Sequence, residues 1–127
     1  MSEVVARRVR ERGRLIELAR DYVDGLSARL PVVAAAVVGS VARGDFNVWS
    51  DVDVVIVAEG LPERAPDRGA VLAADAPAGV QPVGFTPAEF QAAWKRRSPL
   101  AREATAVGVI LRGEEFLAGA REGRGSE

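Results

Sequence analysis

Two acidic residues, Asp51 and Asp53, stand two positions apart at the start of an apolar stretch. On a strand, such residues project from the same face, roughly 6.5–7 Å apart along the chain. Two carboxylates on one face suit a shared hard cation such as Mg²⁺ or Mn²⁺, and without a cation they would repel each other. We therefore predict that Asp51 and Asp53 are catalytic metal ligands. Ser50 could orient Asp51 through a local hydrogen bond.

A second group of residues, Gly39, Ser40, Arg43 and Gly44, follows the preceding apolar stretch. Gly39 lacks a Cβ, so its backbone could approach a phosphate closely. Ser40 could cap the following turn and offer its hydroxyl and N–H groups to phosphate oxygens. Arg43 would lie on the same side of that turn, and Gly44 would let the chain turn away. We predict that these residues and Ser50 bind ATP or another nucleoside triphosphate.

Each half of this pattern also has an ordinary explanation. A Gly-Ser pair after an apolar strand is common in simple turns, and an Asp-x-Asp pair on a strand can merely face water. Together, however, the two halves join a phosphate site to a carboxylate pair across two adjacent strands. That combination favours the binding site.

The composition limits the chemistry. The chain has no histidine and no cysteine, which excludes a histidine base, a serine-type triad, disulfides and almost every zinc site. A net charge of −1 argues against a general polyanion binder. The lack of cysteine fits a reducing cytoplasm, where we expect the protein. Neither a secretory signal nor an apolar run of the roughly 18 residues that a transmembrane helix needs is visible.

Apolar periodicity predicts the elements that position these residues. A long helix over residues 3–30 should end before Pro31, because proline disfavours helical geometry at the residue before it. The other predicted strands and helices are strands over 32–38, 51–58, 80–85 and 108–111, a short helical turn through Arg43, and helices over 67–74, 86–97 and from 98 onwards. Pro82 and Gly84 predict an edge position or a bulge for the third strand. We expect one domain over residues 1–127, with a core over about 32–116 and a frayed tail over 120–127.

The spacing Gly-Ser-x-x-Arg-Gly, five residues, then Ser-Asp-x-Asp resembles the signature of the DNA polymerase beta-type nucleotidyltransferase superfamily. It is most similar to the small bacterial and archaeal branch, the minimal nucleotidyltransferases. Weaker similarity extends from Val32 to Phe116. The resemblance implies an α/β (α+β) fold with a mixed sheet of about four strands and helices packed mainly on one face. It also implies transfer of a nucleoside monophosphate from a triphosphate to a hydroxyl acceptor, often beside a helical partner protein that is in some cases a toxin.

The family pattern includes a third carboxylate on a later strand, opposite the aspartate pair. Here that strand contains no acid, and we predict that Gln81 holds the equivalent position. Glutamine cannot accept a proton, so the sequence leaves two hypotheses open. The chain is either an active nucleotidyltransferase or a catalytically impaired nucleotide-binding subunit of the antitoxin type. If the enzyme is active alone, other candidates for the third acid are Glu59, Glu63 and Asp75.

The N-terminal helix carries an unusually wide apolar stripe, because Leu15, Leu18 and Tyr22 flank its main face. This width is explained either by a docking surface for a helical partner or a second copy, or by a helix buried within its own chain. Two basic clusters, Arg7 to Arg14 and Lys95 to Arg97, are typical of solvated helix faces. They lack interleaved aromatic residues, so a nucleic-acid-binding protein is the weakest hypothesis, and nucleic acid enters only as an acceptor.

Overall fold

The computed structural model describes residues 2–47 and 50–122. Its elements in chain order are α1 (Glu3–Ser27), β1 (Val32–Val38), α2 (Gly39–Arg43), β2 (Val52–Ala58), α3 (Ala65–Ala73), β3 (Val80–Phe85), α4 (Pro87–Lys95), α5 (Pro99–Ala106), β4 (Val109–Arg112) and α6 (Glu114–Arg121). None of the described helices is both long enough and apolar enough to span a bilayer.

The strands form one mixed sheet in the order β3-β2-β1-β4. Strand β1 is antiparallel to both β2 and β4, whereas β2 and β3 run parallel. This confirms the predicted four-stranded mixed sheet with a long N-terminal helix. It also places β3 at an edge, where Pro82, which has no N–H to donate, is tolerated.

Helices cover both faces of the sheet. On one face, α1 and α3 pack against alternate residues of β1 and β2, such as Val37 and Val54. On the other face, α4, α5 and α6 pack against the intervening residues, such as Val38 and Val55. The expectation that helices would lie mainly on one face was therefore wrong. Both central strands are apolar on both sides, so each face has to be shielded from water.

Helix α1 lies against the sheet through the residues that suggested a docking surface. Leu15 and Tyr22 are only 8% and 4% exposed, and Leu18 packs against the same core. The Tyr22 hydroxyl donates a hydrogen bond of 2.6 Å to the carbonyl of Leu72, and burial raises the pKa of Tyr22 to about 12. The docking interpretation of these three residues was wrong, because they face the chain's own core. The exposed apolar residues of α1 are instead Val4, Val5 and Val9.

The two ends of the described chain differ in detail from the prediction. Helix α1 ends at Ser27, so residues 28–30 form a turn before Pro31. After β4, Gly113 adopts a φ of +75° and α6 begins, a helix that the sequence analysis did not predict. Residues 120 and 121 of the expected tail belong to α6, and residues 123–127 lie outside the described residues.

Candidate functional site

The two halves of the predicted site meet at one end of the sheet. The last residue of β1, Val38, pairs with Asp53 near the start of β2. Helix α2 follows β1 directly, so Gly39 to Arg43 lie beside the first residues of β2. The neighbouring strand β4 also begins here, because Val109 pairs with Val37. The antiparallel pairing of β1 with β2 thus brings the predicted phosphate residues next to the aspartate pair.

Gly39 and Asp53 are in close contact. Gly39 has a φ of +74°, and a Cβ built on it would lie 2.5 Å from Asp53 Oδ2. The carboxylate therefore lies where any other residue would carry its side chain. The positive φ favours glycine here, and any side chain at this position would displace the Asp53 carboxylate.

The two predicted metal ligands differ in environment. Asp51 is exposed just before β2, whereas Asp53 is partly buried within it. Burial raises the pKa of Asp53, the charges of Asp51 and Glu103 raise it further, and the charge of Arg43 opposes them. The site therefore carries negative charge that the protein itself does not fully neutralise, and a cation would stabilise it.

The aspartate pair alone provides few ligands for a divalent cation. Among residues 2–47 and 50–122, no group of three or more acidic side chains is placed to hold a metal ion. Mg²⁺ is nevertheless commonly bound by one or two carboxylates together with the phosphates of a substrate. Asp51 and Asp53 fit a cation that binds together with a nucleotide, rather than one held by the protein alone.

Glu103, from α5, is a site residue that the sequence analysis missed. Its Oε1 accepts a hydrogen bond of 2.6 Å from the backbone N–H of Gly39 and one of 2.9 Å from Arg43 Nη1. Arg43 also pairs with Asp45, at 3.3 Å. The sequence offered no spacing that could have identified Glu103, because 64 residues separate it from Gly39. Only the packing of α5 on the sheet brings them together.

Gly44 and Ser50, which lie between the two halves of the site in the chain, each make a local hydrogen bond. Gly44 ends α2 with a φ of +86°, and its N–H donates to the carbonyl of Ser40 at 2.8 Å. The hydroxyl of Ser50 accepts a hydrogen bond of 3.0 Å from the N–H of Asn47. Ser50, which directly precedes Asp51, is thus tied to Asn47.

Two arginines of α1 donate hydrogen bonds to backbone carbonyls in α2 and just after it. Arg12 donates to the carbonyls of Val41 and Ala42, both at 2.9 Å, and Arg8 donates to the carbonyl of Phe46. Guanidinium groups commonly satisfy the free carbonyls at the C-terminal end of a helix. Part of the first basic cluster is thus a brace for α2 rather than a solvated face, and the sequence analysis did not foresee this role.

Gln81 lies in register with Asp53 on the neighbouring parallel strand. Its side chain is exposed. The alternative acids are elsewhere, since Glu59 and Glu63 follow the opposite end of β2 and Asp75 pairs with Arg29 at 2.7 Å. The strand position beside Asp53 therefore carries an amide and not an acid.

Comparison with known proteins agrees with this architecture. A crystal structure from Sulfolobus solfataricus, of a protein proposed to be a nucleotidyltransferase, superimposes with a TM-score of 0.61 at 20% sequence identity. The match covers 81% of this chain and 84% of that one, and at this identity it establishes the fold alone. No protein in the curated set is similar enough to be matched. The family model for the nucleotidyltransferase domain matches residues 19–114, which include α2, both aspartates and Glu103. The chain therefore belongs to the nucleotidyltransferase domain family.

Proposed function

We propose that this protein binds a nucleoside triphosphate with Mg²⁺ or Mn²⁺ in the cytoplasm and transfers the nucleoside monophosphate to a hydroxyl acceptor. The observation that supports this best is the contact of Asp53 with Gly39. It joins the metal-binding half of the site to the phosphate-binding half without an intervening side chain. Membership of the family supports a nucleoside triphosphate as the substrate. The lack of cysteine supports the cytoplasmic assignment.

The residues around this contact have separate tasks. Asp51 and Asp53 would hold the cation, which neutralises charge on the triphosphate when it is bound. Arg43 would pair with one phosphate oxygen. The backbone N–H groups of Gly39 and Ser40 and the hydroxyl of Ser40 would donate hydrogen bonds to other phosphate oxygens. Gly44 would end the phosphate-binding helix α2, and Ser50 would hold Asn47 next to the aspartate pair.

The proposed reaction is a displacement at the α-phosphorus. The acceptor oxygen forms a bond to that atom, the bond to the oxygen bridging to the β-phosphate breaks, and pyrophosphate leaves. The acceptor hydroxyl must lose its proton to a base. We propose that this acceptor is a hydroxyl of a partner protein, an RNA or a small molecule. The spacing of the site residues, which resembles that of the minimal nucleotidyltransferases, supports a protein partner.

The register of Gln81 with Asp53 favours a second candidate function. An amide beside the aspartates neither accepts the acceptor's proton nor adds charge to the cation site. Such a chain would bind the nucleotide with little turnover. It would act as the nucleotide-binding subunit of a pair of proteins, in the role of an antitoxin. Rates of pyrophosphate release with and without a helical protein encoded beside it would distinguish the two candidates.

Calorimetric titration with ATP, GTP, CTP and UTP, each with and without Mg²⁺, tests the proposed site. For the wild type, we expect that Mg²⁺ strengthens binding of at least one triphosphate. For the Asp51→Asn/Asp53→Asn variant, binding should be weaker and should no longer depend on Mg²⁺. A matched control is Asp21→Asn/Asp67→Asn, which removes two exposed carboxylates from α1 and α3. Metal-independent binding of equal strength in wild type and in Asp51→Asn/Asp53→Asn would contradict the proposal.

A further inference from the structure

Glu103 uses the donors that the proposed function assigns to phosphate. Its Oε1 accepts from the Gly39 N–H and from the Arg43 guanidinium at the same time. The Glu103 side chain is 21% exposed and the Arg43 side chain is 49% exposed, so the bond to Gly39 is partly buried whereas the bond to Arg43 is open to solvent. A carboxylate and a phosphate are both anionic acceptors for backbone N–H and guanidinium groups. The Glu103 carboxylate and a phosphate group therefore cannot both accept hydrogen bonds from the Gly39 N–H and Arg43 Nη1 at the same time.

The side chain of Glu103 can rotate away from Gly39 and Arg43 without disturbing the fold. Its backbone is fixed, because its carbonyl accepts hydrogen bonds from the N–H groups of Val107 and Gly108 at 3.0 and 2.8 Å. The core contacts of α5 are made by its neighbours Ala101 and Ala104, which are 0% and 1% exposed. A glutamate side chain has three rotatable bonds, so its carboxylate can swing away while α5 stays in place.

Charge also favours this exchange. Arg43 already pairs with Asp45, and Asp53 feels the negative charges of both Asp51 and Glu103. A triphosphate at Arg43 would be repelled by Glu103 if that carboxylate kept its place. Displacement of Glu103 would both free the donors and move the charge away.

We propose that Glu103 occupies the phosphate-binding donors in the nucleotide-free protein and is displaced by the triphosphate, so that it sets the affinity for nucleotide. This inference rests on the proposed function. Glu103 competes with the nucleotide for these donors and does not contact the bound nucleotide or cation. Its removal should therefore tighten nucleotide binding, whereas removal of a nucleotide or metal ligand would weaken it.

Titration of Glu103→Ala and Glu103→Gln with ATP and Mg²⁺ tests this inference. We expect Glu103→Ala to bind ATP about tenfold more tightly than wild type, or more, since hydrogen bonds to a charged group are of that strength. Glu103→Gln should show a smaller gain, because its amide oxygen still accepts from Gly39 but carries no charge for Arg43. Glu115→Ala and Glu115→Gln remove an exposed carboxylate of α6 and should bind ATP as wild type does.

The possible outcomes separate this inference from the proposed function. Metal-dependent ATP binding by wild type, with equal or weaker binding by both Glu103 variants, would overturn the inference alone. Absence of triphosphate binding by wild type and by every variant would overturn both. Circular dichroism shows which variants fold, and if Glu103→Ala does not, tighter or unchanged binding by Glu103→Gln decides the matter.

Discussion

The carboxylate of Asp53 fills the space beside Gly39 in which every other amino acid would carry its side chain. The backbone of Gly39 therefore lies directly against the carboxylate of Asp53. Both residues are near strand ends whose positions are fixed by the antiparallel pairing of Val38 with Asp53. We therefore expect a change at either residue to affect both the proposed metal-binding half and the proposed phosphate-binding half of the site.

Replacement of Gly39 by alanine should impair nucleotide binding more than it impairs folding. The new Cβ would lie 2.5 Å from Asp53 Oδ2, so Asp53 must move, and the positive φ adds about 1–2 kcal/mol of strain. Gly60→Ala is the control, because Gly60 has a φ of +79° but no atom within 4 Å of the added Cβ. We expect both variants to lose similar stability in urea unfolding, and only Gly39→Ala to lose Mg²⁺-dependent ATP binding by at least about tenfold. Equal ATP affinity in the two variants would contradict this prediction.

Asp53→Asn should make the nucleotide-free protein more stable at neutral pH. The pKa of Asp53 is raised in the folded state, first by burial and then by the charges of Asp51 and Glu103. A raised pKa means that the folded protein loses stability as pH rises through the titration of this group. The stability gain of the variant should thus be present at pH 7 and vanish in acid, where the carboxyl is protonated in both states.

Urea unfolding at pH 7 and in acid, without nucleotide, measures this difference. Asp21→Asn is the control, because it removes an exposed carboxylate of α1, and it should leave stability nearly unchanged. With Mg²⁺ and ATP present, the order should reverse, because ligand binding stabilises the wild type by mass action. A variant that is less stable than wild type at pH 7 without ligand would refute the electrostatic account of Asp53.

Gln81→Asp should strengthen the cation site and speed pyrophosphate release from Mg-ATP. The new carboxylate would lie in register with Asp53, and a positioned general base is typically worth about 10²–10⁴-fold in rate. Val83→Asp is the matched control, because it adds a carboxylate to the same face of β3 two residues further along, at a side chain already 39% exposed. If both variants accelerate release equally, the position beside Asp53 has no special role.

Leu15→Glu should unfold the protein rather than weaken an interaction with a partner. Leu15 is 8% exposed within the core between α1 and the sheet. Loss of its packing and burial of a charge should cost more than about 3 kcal/mol. Val9→Glu, on the same helix at a side chain 59% exposed, should leave the urea midpoint within error of wild type. A folded, stable Leu15→Glu variant would show that α1 does not pack as described.

The sequence predicted the elements whose patterns are local. The apolar strands and the long N-terminal helix depend on neighbours within a few residues, and each is present. The proximity of Gly39 and Asp53 was also predictable, because both flank consecutive strands. The edge position of β3 followed from Pro82 and Gly84, two residues that a central strand tolerates poorly.

Features that depend on distant packing were not predictable in this way. Glu103 contacts Gly39 only because α5 packs on the sheet. Arg12 contacts α2 only because α1 packs next to that helix. The wide stripe formed by Leu15 and Tyr22 fits a buried helix as well as a docking helix, since periodicity records apolarity and not the identity of the surface that covers it.

The order of strands in the sheet differs from their order of synthesis. Strand β1 lies between β2 and β4, yet β2, α3, β3, α4 and α5 all leave the ribosome before β4 does. One edge of β1 therefore stays unpaired until Val109–Arg112 emerge, and an unpaired edge of a strand as apolar as β1 readily adds a strand from another chain. The nascent protein is consequently exposed to aggregation at this edge until β4 pairs with β1.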